Sequence, residues 1–360
     1  MKFRNFPMVP RVCFGRGSFA QVNEIIEPKR QGNAPFIYFI DNVFNGQQHL
    51  PIENLELKGS DEIIYVDVEP HEPTTWQVDE LRYRIKSTHN RISGIVGIGG
   101  GATMDIAKAV SLMMTNDGSS QQYQGWDLVK KPGVYHVGIP TLSGTGAEVS
   151  RTAVLVGPEK KLGLNSDFTP FDQVILDPAL TKDVPMDQRF YTGMDNYLHC
   201  VESLTGTFLN TFSKSYGEKA FEMCKHVFLE KDVWDDDSDD ELMMASWHGG
   251  MSIAYSQVGI VHATAYGISF ALGVRHGVGN CIVFNQLEEF YPKEYKEFRA
   301  MIDKWEINLP KGICATATEE HFNDMVRVSY SMTPLWENAF GKDWQKIITP
   351  EKLRELFERM

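Results

Sequence analysis

The stretch Gly94-Ile-Val-Gly-Ile98 runs straight into Gly99-Gly-Gly-Ala-Thr-Met-Asp105. A short apolar run bounded by glycines reads as a buried parallel strand. Three glycines after it let the backbone approach a phosphate with no Cβ in the way. Beyond them Ile106, Ala107, Val110, Met113 and Met114 recur with helical spacing, which predicts a helix over residues 103–114. The start of that helix would offer free N–H groups and a positive dipole end to a pyrophosphate. The spacing is not G-x-G-x-x-G, so the glycines alone leave a phosphate loop and a tight structural turn both open.

Working outward, Phe36-Ile-Tyr-Phe-Ile-Asp41 and Ile63-Ile-Tyr-Val-Asp67 are further buried-strand runs. Val12-Cys-Phe-Gly-Arg-Gly-Ser-Phe-Ala reads as a strand, a glycine turn and the start of a helix. Asp41 at a strand end suits the ribose hydroxyls of an adenine dinucleotide, where its charge would repel a 2′-phosphate. A turn aspartate before Asn42 is the plainer alternative. Downstream, Val137-Gly-Ile-Pro140 leads into Thr141-Leu-Ser-Gly-Thr-Gly-Ala-Glu148, whose hydroxyls at Thr141, Ser143 and Thr145 suit a nicotinamide amide or phosphates. Gln173-Val-Ile-Leu-Asp177 is the last strand. Small-residue loops after successive strands predict an α/β dinucleotide-binding domain over residues 1–181, with ligands at the carboxyl ends of the strands.

Residues 182–360 carry helical patterning instead, over 194–204, 213–229 and 241–256, with a terminal amphipathic helix from Pro350. The acidic run Asp235-Asp-Asp-Ser-Asp-Asp-Glu241 reads as a solvated loop. Asp195 and His199 lie four apart, so a helix would place both on one face. His262 and His276 fall in the Gly- and Ala-rich stretch from Val261 to Gly277. One carboxylate and three imidazoles suit a divalent transition metal. An Asp–His ion pair on a helix would look the same for the first two alone. His49, His71, His89, His226 and His321 sit in polar surroundings, and His136 and His248 read as packed or loop residues.

With 360 residues, 42% hydrophobic and 23% charged, the chain has room for two cores and the make-up of a soluble globular protein. A net charge of -13 argues against nucleic acid or an anionic membrane as partner, and any anionic ligand would need a local basic pocket. Five scattered cysteines without a Cys-x-x-Cys pair read as reduced thiols. Met-Lys-Phe-Arg-Asn-Phe-Pro at the start lacks a signal-peptide apolar region, so a cytoplasmic protein is expected.

Together, the Gly99–Asp105 and Ile139–Glu148 stretches, Asp195-x-x-x-His199 and the His262…His276 spacing resemble the iron-containing (group III) alcohol dehydrogenases. That resemblance implies a Rossmann-like N-terminal domain, an all-α C-terminal domain over residues 182–360 and an active site in the cleft between them. It implies Asp195, His199, His262 and His276 as ligands of one Fe²⁺ or Zn²⁺. It implies NAD, with Gly100, Gly101 and Asp105 at the pyrophosphate, Thr141 and Thr145 nearer the nicotinamide half, Lys161 near the ribose, and Asp41 favouring NAD over NADP. A homodimer is the expected assembly. Two positions depart from the family. Tyr266 stands where it commonly has a histidine for proton transfer or ribose contact, and Ala102 where it often has serine. A phenol with a pKa near 10 is a poorer base at neutral pH than imidazole.

Tyr123-Gln-Gly-Trp-Asp-Leu-Val-Lys-Lys-Pro132, Leu162-Gly-Leu-Asn-Ser-Asp167, His199-Cys-Val-Glu-Ser-Leu and Ser252-Ile-Ala-Tyr-Ser-Gln-Val-Gly259 are similar to the family's 3-deoxy-D-manno-octulosonate 8-oxidase branch. This implies oxidation of the sugar acid's C8 alcohol to an aldehyde, which a partner aminotransferase would turn into an 8-amino sugar for lipopolysaccharide. The expected chemistry is hydride transfer from a metal-activated hydroxyl to NAD⁺, with dioxygen as the other conceivable acceptor. Arg151 and Arg275 are the candidates for the substrate carboxylate, against surface salt bridging for each. The alternatives are a general NAD-dependent dehydrogenase of short alcohols or diols and a lyase resembling dehydroquinate synthase.

Overall fold

The computed structural model describes residues 8–46, 52, 55–68 and 72–360; residues 1–7, His49 and His71 lie outside them. By contact the chain divides into two compact units, Met1–Ser143 with Ala147–Asp183, and Gly144–Gly146 with Val184–Met360.

In the first unit β1 (Val12–Phe14), β2 (Phe36–Asp41), β3 (Glu62–Val66), β4 (Gly94–Gly99), β6 (His136–Pro140) and β9 (Gln173–Leu176) form one sheet in the order β1-β9-β6-β4-β2-β3. Each pairing in it is parallel; Ile95 on β4 pairs with Ile37 on one side and His136 on the other. A parallel strand with both faces covered must be apolar throughout, and β4 is buried along its whole length. A smaller sheet joins β5 (Gly125–Trp126), β8 (Lys161–Asn165) and β7 (Val154–Val156), with β7 and β8 antiparallel. One face of the large sheet buries Phe36, Tyr38, Ile40, Val96, Ile98, Val137 and Ile139 with Phe19, Val22 and Ile26 near α1 (Val22–Ile26). Each large apolar side chain there contributes about 1.5–3 kcal/mol. Helices α2 (Thr75–Thr88) and α3 (Gly101–Thr115) complete the unit, α3 packing on β4 and β6.

The second unit is helical: α4 (Met186–Thr205), α5 (Thr211–Lys225), α6 (Asp236–Tyr255), α7 (Ile260–Leu272), α8 (His276–Phe284), α9 (Pro292–Lys304), α10 (Glu319–Tyr330), α11 (Thr333–Phe340) and α12 (Pro350–Glu358). Three sequence expectations change here. The first is α4, which starts at Met186 behind Pro185, well ahead of residue 194. The helix expected over 213–229 ends as α5 at Lys225 and continues as a π-helical turn, His226–Glu230. The acidic run is not a loop: Asp235 caps α6, accepting the Ser238 amide, and Asp236, Asp237 and Asp239 fill the first turn. Carboxylates there complement the positive helix end.

The Gly- and Ala-rich stretch folds as α7 and α8, separated at Gly273 (φ 68). Its small residues have a packing cause. A Cβ on Gly267 would lie 2.4 Å from Ser329 Oγ and 2.5 Å from the Met325 carbonyl oxygen, so glycine lets α7 lie against α10. Among the described residues no helix is long and apolar enough to cross a membrane.

Candidate metal centre

Asp195, His199 and Glu202 lie on α4 at spacings of four and three, and so share one helical face. His262 is in the first turn of α7, His276 is the first residue of α8, and Asn280 follows one turn later. These three segments bring one ligand atom each from Asp195, His199, His262 and His276 within 4.8 Å of one another. Asp195 Oδ1 lies 3.6 Å from His199 Nε2, 3.2 Å from His262 Nε2 and 3.6 Å from His276 Nε2. Asp195, His199 and His262 are buried, while His276 is partly exposed. The rings of His199 and His262 stack at 4.8 Å, and those of His262 and His276 are 5.3 Å apart.

Two residues that the sequence reading did not single out complete the cluster. Glu202 accepts His262 Nδ1–H on Oε2 at 2.5 Å and the Val261 amide on Oε1 at 2.6 Å. A carboxylate only accepts, so the network assigns a proton to His262 Nδ1 and leaves Nε2, 3.2 Å from Asp195 Oδ1, as the nitrogen that would ligate an ion once one displaces any proton there. Asn280 Nδ2 donates to Asp195 Oδ1 at 2.6 Å and lies 3.1 and 3.3 Å from Nε2 of His262 and His276. The available signal was positional: Glu202 is three residues beyond His199, and Asn280 four beyond His276.

The charges are strongly perturbed. Burial alone would raise Asp195, but the imidazoles, His199 foremost, hold it far below the usual carboxylate range. Burial pushes His199 down to about 4 against the pull of Asp195. Burial also opposes a charged His262, yet Glu202 and then Asp195 lift it to about 9. Asp195 Oδ2 is buried with no hydrogen-bond partner. An orphaned carboxylate oxygen among convergent imidazole nitrogens is costly unless a cation lies among them. The donor set fits a divalent transition metal, and residues from three helices would hold it.

The other expected residues divide between the two units. Gly100 caps α3 with no side-chain cap, and Gly101 opens the helix, leaving its first amides to other acceptors. Gly99 has φ 159, and a Cβ there would lie 2.6 Å from Thr103 Oγ1 and 2.9 Å from the Asp41 Cβ. Its lack of a side chain therefore lets the end of β2 meet the start of α3. Asp41 Oδ1 accepts the Val43 amide at 3.1 Å, and Thr103 Oγ1 lies 3.4 Å from Oδ2; burial raises the Asp41 carboxyl. Thr141 is buried, its amide on the Gly99 carbonyl at 2.9 Å, while Thr145 lies in the short segment that clusters with the second unit.

Asp105 points into the fold: Oδ2 accepts the Val154 amide at 3.0 Å, and Lys108 Nζ lies 3.2 Å from Oδ1. Lys161 is buried on β8 with Nζ 3.4 Å from Glu72 Oε1. Arg151 bridges Asp127 (2.6 Å) and Asp167 (2.9 Å). Arg275 caps α8 and is exposed. Tyr266, half-buried one turn beyond His262, has its ring 6.0 Å from that of His276.

Residues 10–178 match the family model described as iron-containing alcohol dehydrogenase, and residues 189–327 that of the family's C-terminal part. The chain belongs to the iron-containing alcohol dehydrogenase family. Within it, alcohol dehydrogenase 4 of Schizosaccharomyces pombe is 28% identical over 236 residues, 64% of this chain and 55% of its own length. The NAD-dependent methanol dehydrogenase of Bacillus methanolicus is 27% identical over 287 residues, 77% of this chain and 73% of its own. The chain thus spans between about half and three quarters of the length of these relatives. Among solved structures, an alcohol dehydrogenase from Oenococcus oeni has a TM-score of 0.82 at 21% identity, covering 99% of both chains. A sulfoacetaldehyde reductase from Bifidobacterium kashiwanohense, in complex with NAD⁺, has a TM-score of 0.79 at 21% identity, covering 99% of this chain and 98% of its own. At that identity the likeness is one of fold: a parallel-sheet α/β domain followed by a helical domain.

Proposed function

We propose that this chain is a metal-dependent alcohol dehydrogenase that uses NAD, acting on a small primary alcohol or diol and, in reverse, on the aldehyde. The observation that carries this is the buried Asp195 carboxylate with an orphaned oxygen, faced by His199, His262 and His276. A divalent ion bound there supplies Lewis-acid polarisation of an alcohol oxygen, while NAD⁺ supplies the hydride acceptor. In this reading Asp195 would supply the one negative charge and His199, His262 and His276 would supply neutral imidazole nitrogens to a bound ion, so that the centre would keep a net positive charge. Asn280 steadies Asp195, and Glu202 steadies His262. The uncapped start of α3 at Gly100 and Gly101 is assigned to the pyrophosphate, and Asp41 to the ribose hydroxyls, where it disfavours NADP. Thr141, Thr145 and Lys161 keep their assignment to the coenzyme, and Tyr266 and Arg275 theirs to the alcohol side. Asp105 instead braces α3 against β7.

The two sequence relatives named above, an alcohol and a methanol dehydrogenase, support a general alcohol dehydrogenase better than a sugar-acid oxidase. The sugar-acid reading rests on the four stretches quoted earlier and keeps 3-deoxy-D-manno-octulosonate as a second candidate substrate, with the aminotransferase and a homodimer as its companions. Against it, Arg151, offered for the carboxylate, is held by Asp127 and Asp167 within two of those same stretches. The test uses metal-loaded protein with a panel of primary alcohols, diols and the sugar acid, with and without NAD⁺. NADH absorbance and oxygen uptake are followed together. NADH formation with short alcohols is expected. Oxygen uptake without NAD⁺ would sink the hydride assignment, and turnover of the sugar acid alone would restore the second substrate to first place.

A further inference from the structure

We infer that Glu202 is the positioning residue of the metal centre: its carboxylate fixes His262 in the tautomer whose Nε2 lone pair faces the ion. This deepens the metal-centre reading and rests on it. Glu202 is buried on α4, and two donors from α7 converge on it, the Val261 amide on Oε1 at 2.6 Å and His262 Nδ1 on Oε2 at 2.5 Å. The α7 cap, Gly259, gives no side-chain cap, so Glu202 supplies from another helix the acceptor that the helix start lacks. The same side chain thereby fixes both the start of α7 and the ring that α7 carries.

Only a group with two acceptor oxygens can serve both donors. A glutamine has one acceptor end and one donor end. With its carbonyl on the Val261 amide, its NH₂ meets His262 Nδ1, which must then accept. The imidazole proton moves to Nε2, where it points at Asp195 Oδ1 and blocks coordination. With the amide reversed, NH₂ meets N–H and the α7 start loses its acceptor. A role limited to capping α7 would need no particular tautomer of His262.

The experiment compares the parent and Glu202→Gln for Zn²⁺ affinity by chelator competition, for melting of the metal-free protein, and for imidazole ¹⁵N shifts in the Zn²⁺-loaded state. Expected are a loss of Zn²⁺ affinity of about 10- to 100-fold in Glu202→Gln, the usual cost of removing such a partner, little change in metal-free melting, and a His262 proton on Nδ1 in the parent. Unchanged Zn²⁺ affinity in the variant overturns the inference, as does lowered metal-free melting with affinity intact. A parent His262 proton on Nε2 overturns it even where the variant fails to fold. If the parent takes up no Zn²⁺, or Asp195→Ala takes it up undiminished, the metal-centre reading itself falls and this inference with it.

Discussion

Each unit buries a charged cluster, and the two are finished differently. In the first, Asp105 Oδ2 accepts the Val154 amide and Oδ1 forms an ion pair with Lys108 Nζ at 3.2 Å, while the fully buried Lys108 donates to the Ala147 and Thr152 carbonyls and to Ser150 Oγ. Opposite charges from α3 cancel, and the lysine draws the 147–152 segment onto that helix. In the second, the Asp195 contacts with three imidazoles and one amide all fall on Oδ1, and among the described residues the buried Oδ2 has neither a donor nor a lysine or arginine beside it. A buried charge completed by its own chain is a brace. One with an unpartnered oxygen among convergent imidazole nitrogens is built for something that arrives from outside.

That contrast can be broken by substitution. Lys108→Met strands Asp105 and should cost the first unit about 3–5 kcal/mol in denaturant unfolding, with Zn²⁺ stoichiometry unchanged; a stable variant would mean that Lys108 braces nothing. Asp195→Asn should weaken Zn²⁺ binding by more than about 100-fold, beyond the cost of losing an outer partner, without comparable loss of metal-free stability. Retained metal in a chelator competition would make the second cluster another brace. Asp41→Ala should raise kcat/KM for NADP⁺ about tenfold relative to NAD⁺, as relief of about 1.4 kcal/mol of like-charge repulsion implies. An unchanged ratio would return Asp41 to a turn residue. Tyr266→Phe should leave kcat within about threefold, because loss of a true general base costs roughly 10²–10⁴; a drop of that size would give the phenol the proton.

The sheet was legible because a parallel strand with two covered faces is built mostly of apolar side chains. Phe36–Asp41 and Gly94–Gly99 therefore stand out as unbroken apolar runs. The β7–β8 pair was not, since Val154–Val156 is short and β8 opens on a lysine whose burial depends on distant Glu72. Helices α7 and α8 were hidden by glycines that weaken helix propensity locally; Gly267 admits α10, and Gly277 lies against the Tyr191 carbonyl of α4. Asp195 and His199 were visible as a helical pair, and His262 and His276 as glycine-flanked imidazoles. Glu202 shares the His199 face by spacing, but its partners, the Val261 amide and His262 Nδ1, belong to another helix, and spacing along α4 does not name them.

Gly267 lies five residues past His262 on α7, and its missing methyl sets how deeply α7 seats on α10. It acts as a gauge block, fixing the depth and rotation at which an imidazole is delivered. The placing of one ligand of the centre thus rests on helix packing, through a residue outside the ligand set.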